Sequence, residues 1–143
     1  MGRRSIFAKG AKVGESAKCK KTPNIILVDD DFYFRQALRR LLLEHGLNVT
    51  AFERPSEVLL SHLPARDAVL LVDIWMPEMT GVELWKELDK KGFTIPTILI
   101  TGQREERAKL LGEEIRAVAV LFKPIEEKEL LETISRALAG SNN

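Results

Sequence analysis

Short runs of apolar residues recur along the chain from residue 24 onwards, separated by longer amphipathic stretches. Four of these runs are continuous, as expected for strands buried on both faces of a parallel sheet. They are Ile25–Val28, Ala68–Val72, Ile98–Ile100 and Val118–Phe122. A fifth segment, Asn48–Phe52, mixes polar and apolar positions and predicts a strand nearer the edge of the sheet.

Between the predicted strands, apolar residues recur every three or four positions, which is the spacing of one helix face. The first predicted helix contains Phe34, Leu38, Leu41 and Leu42 and ends near Gly46. The second begins at Pro55 and contains Val58, Leu59 and Leu63, and the third contains Val82, Trp85 and Leu88 and ends around Gly92. The fourth and fifth cover the ranges Arg104–Glu114 and Glu126–Leu138. Strands and helices therefore alternate strictly. With right-handed crossovers, this order predicts an α/β fold, a (βα)5 doubly wound parallel sheet covered by helices on both faces.

Composition fits a single globular domain of this kind. The chain has 143 residues, of which 45% are hydrophobic and 30% are charged. The apolar runs are far shorter than the roughly 20 residues that a membrane span needs, so we expect no membrane association. The single cysteine, Cys19, cannot form an internal disulfide, and a cytoplasmic location fits best.

The net charge of +1 conceals an asymmetry along the chain. Residues 1–23 contain seven Lys or Arg residues and one acidic residue, a balance of +6, which leaves −5 for the remainder. We therefore predict a basic, disordered leader over residues 1–23 and a folded domain over residues 24–140. A basic arm can contact nucleic acid, but a solvated extension is the simpler interpretation. Because the folded part is acidic, we do not expect nucleic acid as a partner.

Polar residues with complementary chemistry stand at the ends of the predicted strands, where parallel α/β sheets bind ligands. If the first and third strands are neighbours, Asp29, Asp30 and Asp73 crowd one small volume, and their charges repel. A divalent cation relieves this repulsion, and oxygen ligands of this type suit Mg²⁺. Helix capping explains Asp31 equally well, but it does not explain a second carboxylate at the end of another strand.

Two further strand ends add groups suited to phosphate oxygens. Thr101 supplies a hydroxyl, and Lys123 supplies an ammonium. Taken alone, each has an ordinary explanation, strand propensity for the threonine and a solvated charge for the lysine. Taken together with the carboxylates they describe an acyl-phosphate site with Asp73 as the nucleophile.

The motifs at these positions resemble one protein family. They are "IILVDDDFYFRQAL" at residues 25–38, "VLLVDIWMPEMTGVEL" at 69–84, "PTILITG" at 96–102 and "LFKPI" at 121–125. In these features the range 25–138 resembles the receiver domains of bacterial two-component response regulators. The resemblance implies a flavodoxin-like sheet of strand order 2-1-3-4-5. It also implies no enzymatic activity beyond phosphotransfer to the domain's own aspartate.

The same resemblance implies a role for each site residue. Asp73 would accept a phosphoryl group from a sensor histidine kinase or a phosphotransfer protein. Asp29, Asp30, Asp73 and the backbone carbonyl of Trp75 would hold Mg²⁺. Thr101 and Lys123 would contact the phosphoryl group and couple it to a conformational change that signals by protein contact, and the Lys123–Pro124 bond would be cis.

Some features leave alternatives open. Many receivers carry an aromatic residue that rotates on activation where this chain has Val120, so the usual switch is in doubt. The chain could instead be a phosphorylation-independent interaction module, or the receiver fragment of a DNA-binding transcription regulator. A phosphohydrolase is disfavoured because Tyr33 stands where that class has Thr or Val.

The resemblance also suggests two contact surfaces. Phe32 and Tyr33 could dock a kinase or could pack within the first turn of the helix. A homodimer could form through the fourth helix, fifth strand and fifth helix. That face would include Arg107, Glu113, Arg116 and Glu127.

Overall fold

The computed structural model describes residues 22–103 and 105–141, which form one five-stranded parallel sheet with helices on both faces. The strands are β1 (Asn24–Val28), β2 (Asn48–Phe52), β3 (Ala68–Asp73), β4 (Thr97–Thr101) and β5 (Ala119–Phe122). The helices are α1 (Phe32–Glu44), α2 (Pro55–Leu60), α3 (Gly81–Lys90), α4 (Glu106–Glu114) and α5 (Glu127–Ser141).

The strand order is β2-β1-β3-β4-β5, and every neighbouring pair is parallel. The predicted fold class and strand order are therefore confirmed. The mixed segment Asn48–Phe52 does form an edge strand. The continuous runs in β1, β3 and β4 form the interior strands, which must be apolar on both faces. The fourth continuous run, Val118–Phe122, was predicted to be buried on both faces, but it forms β5 at the other edge, where three of its four residues are only partly buried.

Each face of the sheet carries its own core. Alternate residues of β1, such as Ile26 and Val28, pack with α2, α3 and α4 on one face. The intervening residues Ile25 and Leu27 pack with α1 and α5 on the other. This alternation follows from the two-residue period of a strand, and it explains why the apolar runs are uninterrupted.

The helices differ from the sequence prediction at several ends. Helix α2 stops at Leu60, so Leu63 lies beyond it although its side chain is buried. Helix α4 begins at Glu106, and Arg104 lies outside the described residues. Trp85, predicted on the apolar face of the third helix, is partly buried and packs against the core.

Most of the predicted basic leader, residues 1–21, also lies outside the described residues. Its last residue, Pro23, accepts a hydrogen bond from the Asn48 N–H at 2.9 Å, so it continues the pairing of β1 with β2. Over the part of the chain that the structure describes, no helix has the length and apolar character required to cross a bilayer.

Candidate functional site

The carboxyl ends of four strands bring the candidate residues to one edge of the sheet. Asp29 follows β1, Asp73 ends β3, Thr101 ends β4 and Lys123 follows β5. The parallel register places these ends side by side, because Val28 pairs with Val72 and Thr101 pairs with Phe122. The sheet therefore brings together side chains that lie far apart in the sequence.

Three carboxylates form the centre of the site. Asp29, Asp30 and Asp73 each offer an oxygen, and these three oxygens lie within 4.8 Å of one another. Asp29 and Asp73 are buried, whereas Asp30 is exposed and opens the cluster to solvent. A donor set made only of oxygen suits a hard divalent cation such as Mg²⁺ better than zinc or copper.

The first turn of α1 fixes the β1–α1 loop. The Asp31 side chain caps the helix by accepting a hydrogen bond from the Phe34 N–H at 3.1 Å, as the capping interpretation predicted. The Asp29 carboxylate accepts one from the Asp31 N–H at 2.8 Å. The Arg35 guanidinium donates to the Asp29 main-chain carbonyl at 2.7 Å. These bonds tie Asp29 to the start of α1, and its buried carboxylate lies within the cluster.

Lys123 supplies the positive charge of the site. Its ammonium lies 3.0 Å from Asp29 Oδ2 and 3.8 Å from Asp73 Oδ2. One ammonium among three ionised carboxylates leaves two negative charges uncompensated within these four groups. That deficit equals the charge of one divalent cation.

The two buried carboxyl groups of this arrangement have raised pKa values. Burial raises the pKa of Asp73 from 3.8 to about 6; the Asp29 charge adds to the rise, and the Lys123 ammonium opposes it. Burial likewise raises the pKa of Asp29, against the hydrogen bond from Asp31 and the ammonium of Lys123. A cation bound between the carboxylates would favour their ionised forms, so the electrostatics also fit Mg²⁺.

The β3–α3 loop wraps closely around Asp73. The Trp75 N–H donates to Asp73 Oδ1 at 3.2 Å, and the Gly81 N–H donates to the Ile74 carbonyl at 2.8 Å. A Cβ at Gly81 would lie 2.6 Å from the Asp73 carbonyl oxygen. The glycine eight residues after Asp73 is thus required because the start of α3 passes directly over the Asp73 backbone. The ligand role of the Trp75 carbonyl stays a prediction.

Thr101 lies fully buried at the end of β4. Its hydroxyl accepts a hydrogen bond from the Gln103 N–H at 3.2 Å and lies 3.3 Å from the Gln103 carbonyl, to which it can donate. The hydroxyl therefore holds the start of the β4–α4 loop. Any ligand that competes for this hydroxyl acts on the loop as well.

With this geometry established, comparison with known proteins identifies the family. The sequence profile of the response regulator receiver domain matches residues 25–135. This chain belongs to the response regulator receiver domain family. It is a module of two-component signal transduction, and the family is generally not enzymatic.

Individual relatives agree with the family match. Protein PilH of Pseudomonas aeruginosa is 33% identical over 118 residues, which cover 81% of this chain and 98% of that protein. Nodulation protein W of Bradyrhizobium diazoefficiens is 32% identical over 113 residues, covering 79% of this chain and 50% of that protein. The chain thus spans nearly all of one relative and half of the other.

Solved structures show the same fold. The crystal structure of FixJ-N superimposes with a TM-score of 0.77 at 30% identity, covering 84% of this chain and 96% of that one. The receiver domain also has the cis Lys123–Pro124 bond that the resemblance implied.

Val120 stands where the resemblance implied an aromatic residue, and the structure shows what the valine contacts. Val120 is partly buried, as a strand residue facing α4 should be. A Cβ at Gly112 would lie 2.6 Å from Val120 Cγ2, so the valine packs directly on the α4 backbone. The small residue in the helix and the aliphatic residue in the strand thus fit each other.

Sequence reasoning missed two residues near the site. Arg35 was given no role, yet it donates to the Asp29 backbone. Arg107 was assigned only to a dimer face, yet its guanidinium lies 5.1 Å from the centre of the Trp75 ring. The residue types carry no signal for either contact, because each depends on how a helix lies over the strand ends.

A cavity of about 690 Å³ lies among the opposite ends of the strands and is lined by Trp85, Thr97 and Arg136, among others. It contains none of the carboxylates of the acidic cluster. The candidate ionic site and this cavity therefore lie at opposite ends of the sheet.

Proposed function

We propose that this receiver domain is phosphorylated on Asp73. Asp29, Asp30, Asp73 and the Trp75 carbonyl would hold Mg²⁺, and Thr101 and Lys123 would bind the transferred group. The observation that carries the proposal is the acidic cluster itself, three carboxylate oxygens within 4.8 Å of one another, with the Lys123 ammonium 3.0 Å from Asp29 Oδ2.

The reaction needs little covalent chemistry from the protein. An ionised Asp73 oxygen attacks the phosphorus of the donor, a P–O bond forms, and the bond from phosphorus to the leaving group breaks with its electron pair staying on the leaving group. The bound cation would neutralise charge on the phosphoryl oxygens. Asp29 and Asp30 would hold the cation in position, and Lys123 stabilises the charge that develops on the phosphoryl group.

Thr101 connects the site to the rest of the domain. A phosphoryl oxygen on Asp73 is a stronger acceptor than the Gln103 carbonyl, because it is charged. If the Thr101 hydroxyl turns towards it, the hydrogen bonds that hold Gln103 are lost. The β4–α4 loop is then released, which supports α4 as the element that carries the signal.

Phosphorylation can be tested by mass. Incubation with acetyl phosphate and Mg²⁺ should add about 80 Da to the wild-type chain, the mass of one phosphoryl group. Asp73→Asn should show no addition, and removal of Mg²⁺ with EDTA should prevent it in the wild type. Asp89→Asn is the matched control, since Asp89 is exposed on α3, and it should behave like the wild type.

An unmodified wild type under these conditions would contradict the proposal. The chain would then act as a phosphorylation-independent interaction module. Addition of the same mass to Asp73→Asn would place the phosphoacceptor elsewhere.

The proposed phosphodonor in the cell is a sensor histidine kinase or a phosphotransfer protein. Phe32 and Tyr33 stand beside the acidic cluster with 51% and 81% of their surfaces exposed. Their rings contact each other edge to face at 5.1 Å, and Arg35 lies 5.6 Å from the Phe32 ring. An exposed aromatic pair at the mouth of the site supports a docking surface for the donor.

The proposed output is contact with another protein, including a second copy of this chain. Arg107, Glu113 and Arg116 are exposed on and after α4, together with the apolar Leu110 at 61% exposure. Glu127 is less available, because its carboxylate lies 3.0 Å from the buried His45. Light scattering with and without Mg²⁺ and beryllofluoride would test the dimer. An unchanged monomer mass would refute the homodimer.

A further inference from the structure

An aromatic ring contacts the Lys123 ammonium in addition to the two carboxylates. Lys123 Nζ lies 4.2 Å from the centre of the Phe34 ring, well within the range of a cation–π interaction. Phe34 belongs to α1 and is partly buried against the core formed by α1, α5 and the sheet. The side chain of Lys123 is 20% exposed, so its ammonium is largely withdrawn from water.

The three contacts of this ammonium respond differently to events in the site. Its attractions to Asp29 and Asp73 depend on their negative charge, which a divalent cation compensates and which a phosphoryl group at Asp73 redistributes. The attraction to the Phe34 ring comes from the ring quadrupole, and no event at the carboxylates removes it. The ring contact therefore persists when the ion pairs weaken.

We propose that Phe34 is a positioning residue, whose ring face holds the Lys123 ammonium at the site while Mg²⁺ occupies the carboxylates. This inference rests on the proposed phosphorylation of Asp73. It adds a function to a residue that the helical pattern explains only as part of an apolar stripe. An aliphatic side chain would fill the same space, but it offers no face to a cation.

The first test needs no phosphodonor. A ring 4.2 Å from the ammonium shields the neighbouring methylene, so the Lys123 ε-CH₂ proton signals should lie upfield of those of exposed lysines. Phe34→Leu should move them to the ordinary position, and Phe34→Tyr should keep them upfield. Ordinary Lys123 shifts in the wild type would overturn the proposal, whether or not Asp73 is phosphorylated.

The second test measures function. With saturating Mg²⁺, Phe34→Leu should slow phosphorylation by acetyl phosphate about five-fold, the effect of a cation–π contact on a partly desolvated ammonium. Phe34→Tyr, which keeps an aromatic ring, should retain the wild-type rate of phosphorylation. Affinity for Mg²⁺ should stay within about two-fold in both variants, because neither changes a ligand.

Two controls separate positioning from packing. Phe93→Leu makes the same chemical change at the far end of the sheet, where Phe93 is also partly buried, and it should leave the rate unchanged. In a Lys123→Ala background, Phe34→Leu should cause no further slowing, because the two residues act through one contact. Equal slowing by Phe34→Leu and Phe34→Tyr, or additive slowing in the double variant, would overturn the inference.

Discussion

Asp73→Asn should stabilise the receiver domain in the absence of metal, although it removes the proposed phosphoacceptor. Asp73 is buried beside Asp29, and its pKa is raised from 3.8 to about 6. Between these values the folded state binds more protons than the unfolded state, so stability falls as the pH rises through this window. Above pH 6 the full penalty of the ionised carboxylate is present.

The magnitude follows from the shift. A rise of about two pKa units corresponds to about 3 kcal/mol. Asparagine removes the charge at nearly constant shape, but it leaves a buried amide that must find partners. Lys123 keeps its nearer partner, Asp29 at 3.0 Å, so no ammonium is left without a counter-charge. We therefore expect a gain of about 1–3 kcal/mol at pH 7.5, or roughly 4–12 °C in Tm.

The assay is thermal and urea unfolding with EDTA at pH 7.5 and pH 4.5, followed by circular dichroism. The gain should shrink at pH 4.5, where the wild-type carboxyl is mostly protonated. Added Mg²⁺ should stabilise the wild type by mass action and should stabilise Asp73→Asn much less. Asp89→Asn, which removes an exposed charge, should change stability by less than about 0.5 kcal/mol at either pH.

Two results would refute this reasoning. Destabilisation by Asp73→Asn at pH 7.5 would show that the carboxylate is held by favourable contacts that outweigh its burial. A gain independent of pH would show that the effect comes from packing and not from charge.

The remaining predictions concern charge, backbone space and a spectroscopic reporter. Lys123→Ala should leave Mg²⁺ affinity intact or raise it by roughly two- to ten-fold, measured by titration, because a competing positive charge is gone; loss of Mg²⁺ binding in a folded variant would contradict the site. Gly81→Ala should destabilise the domain by about 1–3 kcal/mol in urea unfolding, since its Cβ would lie 2.6 Å from a backbone oxygen. Gly140→Ala, with open space around its Cβ, should be neutral or stabilising. In a Trp85→Phe background, which removes the second indole, Mg²⁺ should change the fluorescence of Trp75. Beryllofluoride, a mimic of the aspartyl phosphate, should change it further. No change would argue against binding beside Trp75.

Local patterns in the sequence determined most of the architecture. The continuous apolar runs of β1, β3 and β4 correctly predicted interior strands, and the mixed run of β2 correctly predicted an edge strand. The continuous run Val118–Phe122 was wrongly predicted to be buried on both faces, because it forms the other edge strand, β5. The Asp31 cap was also readable, because a capping side chain bonds an N–H only three residues away. Such features are encoded within a few residues, so a single sequence carries them.

Only the tertiary structure determined which side chains contact one another at the site. The acidic cluster could be anticipated only on the condition that β1 and β3 are neighbours, which the strand order satisfies. The contacts of Phe34 with Lys123 and of Arg107 with Trp75 had no such signal. Each joins a helix to a distant strand end, and its distance depends on how the crossovers lay the helix on the sheet. Periodicity shows that a residue faces the core, but only the packing of the helices determines which side chain it meets there.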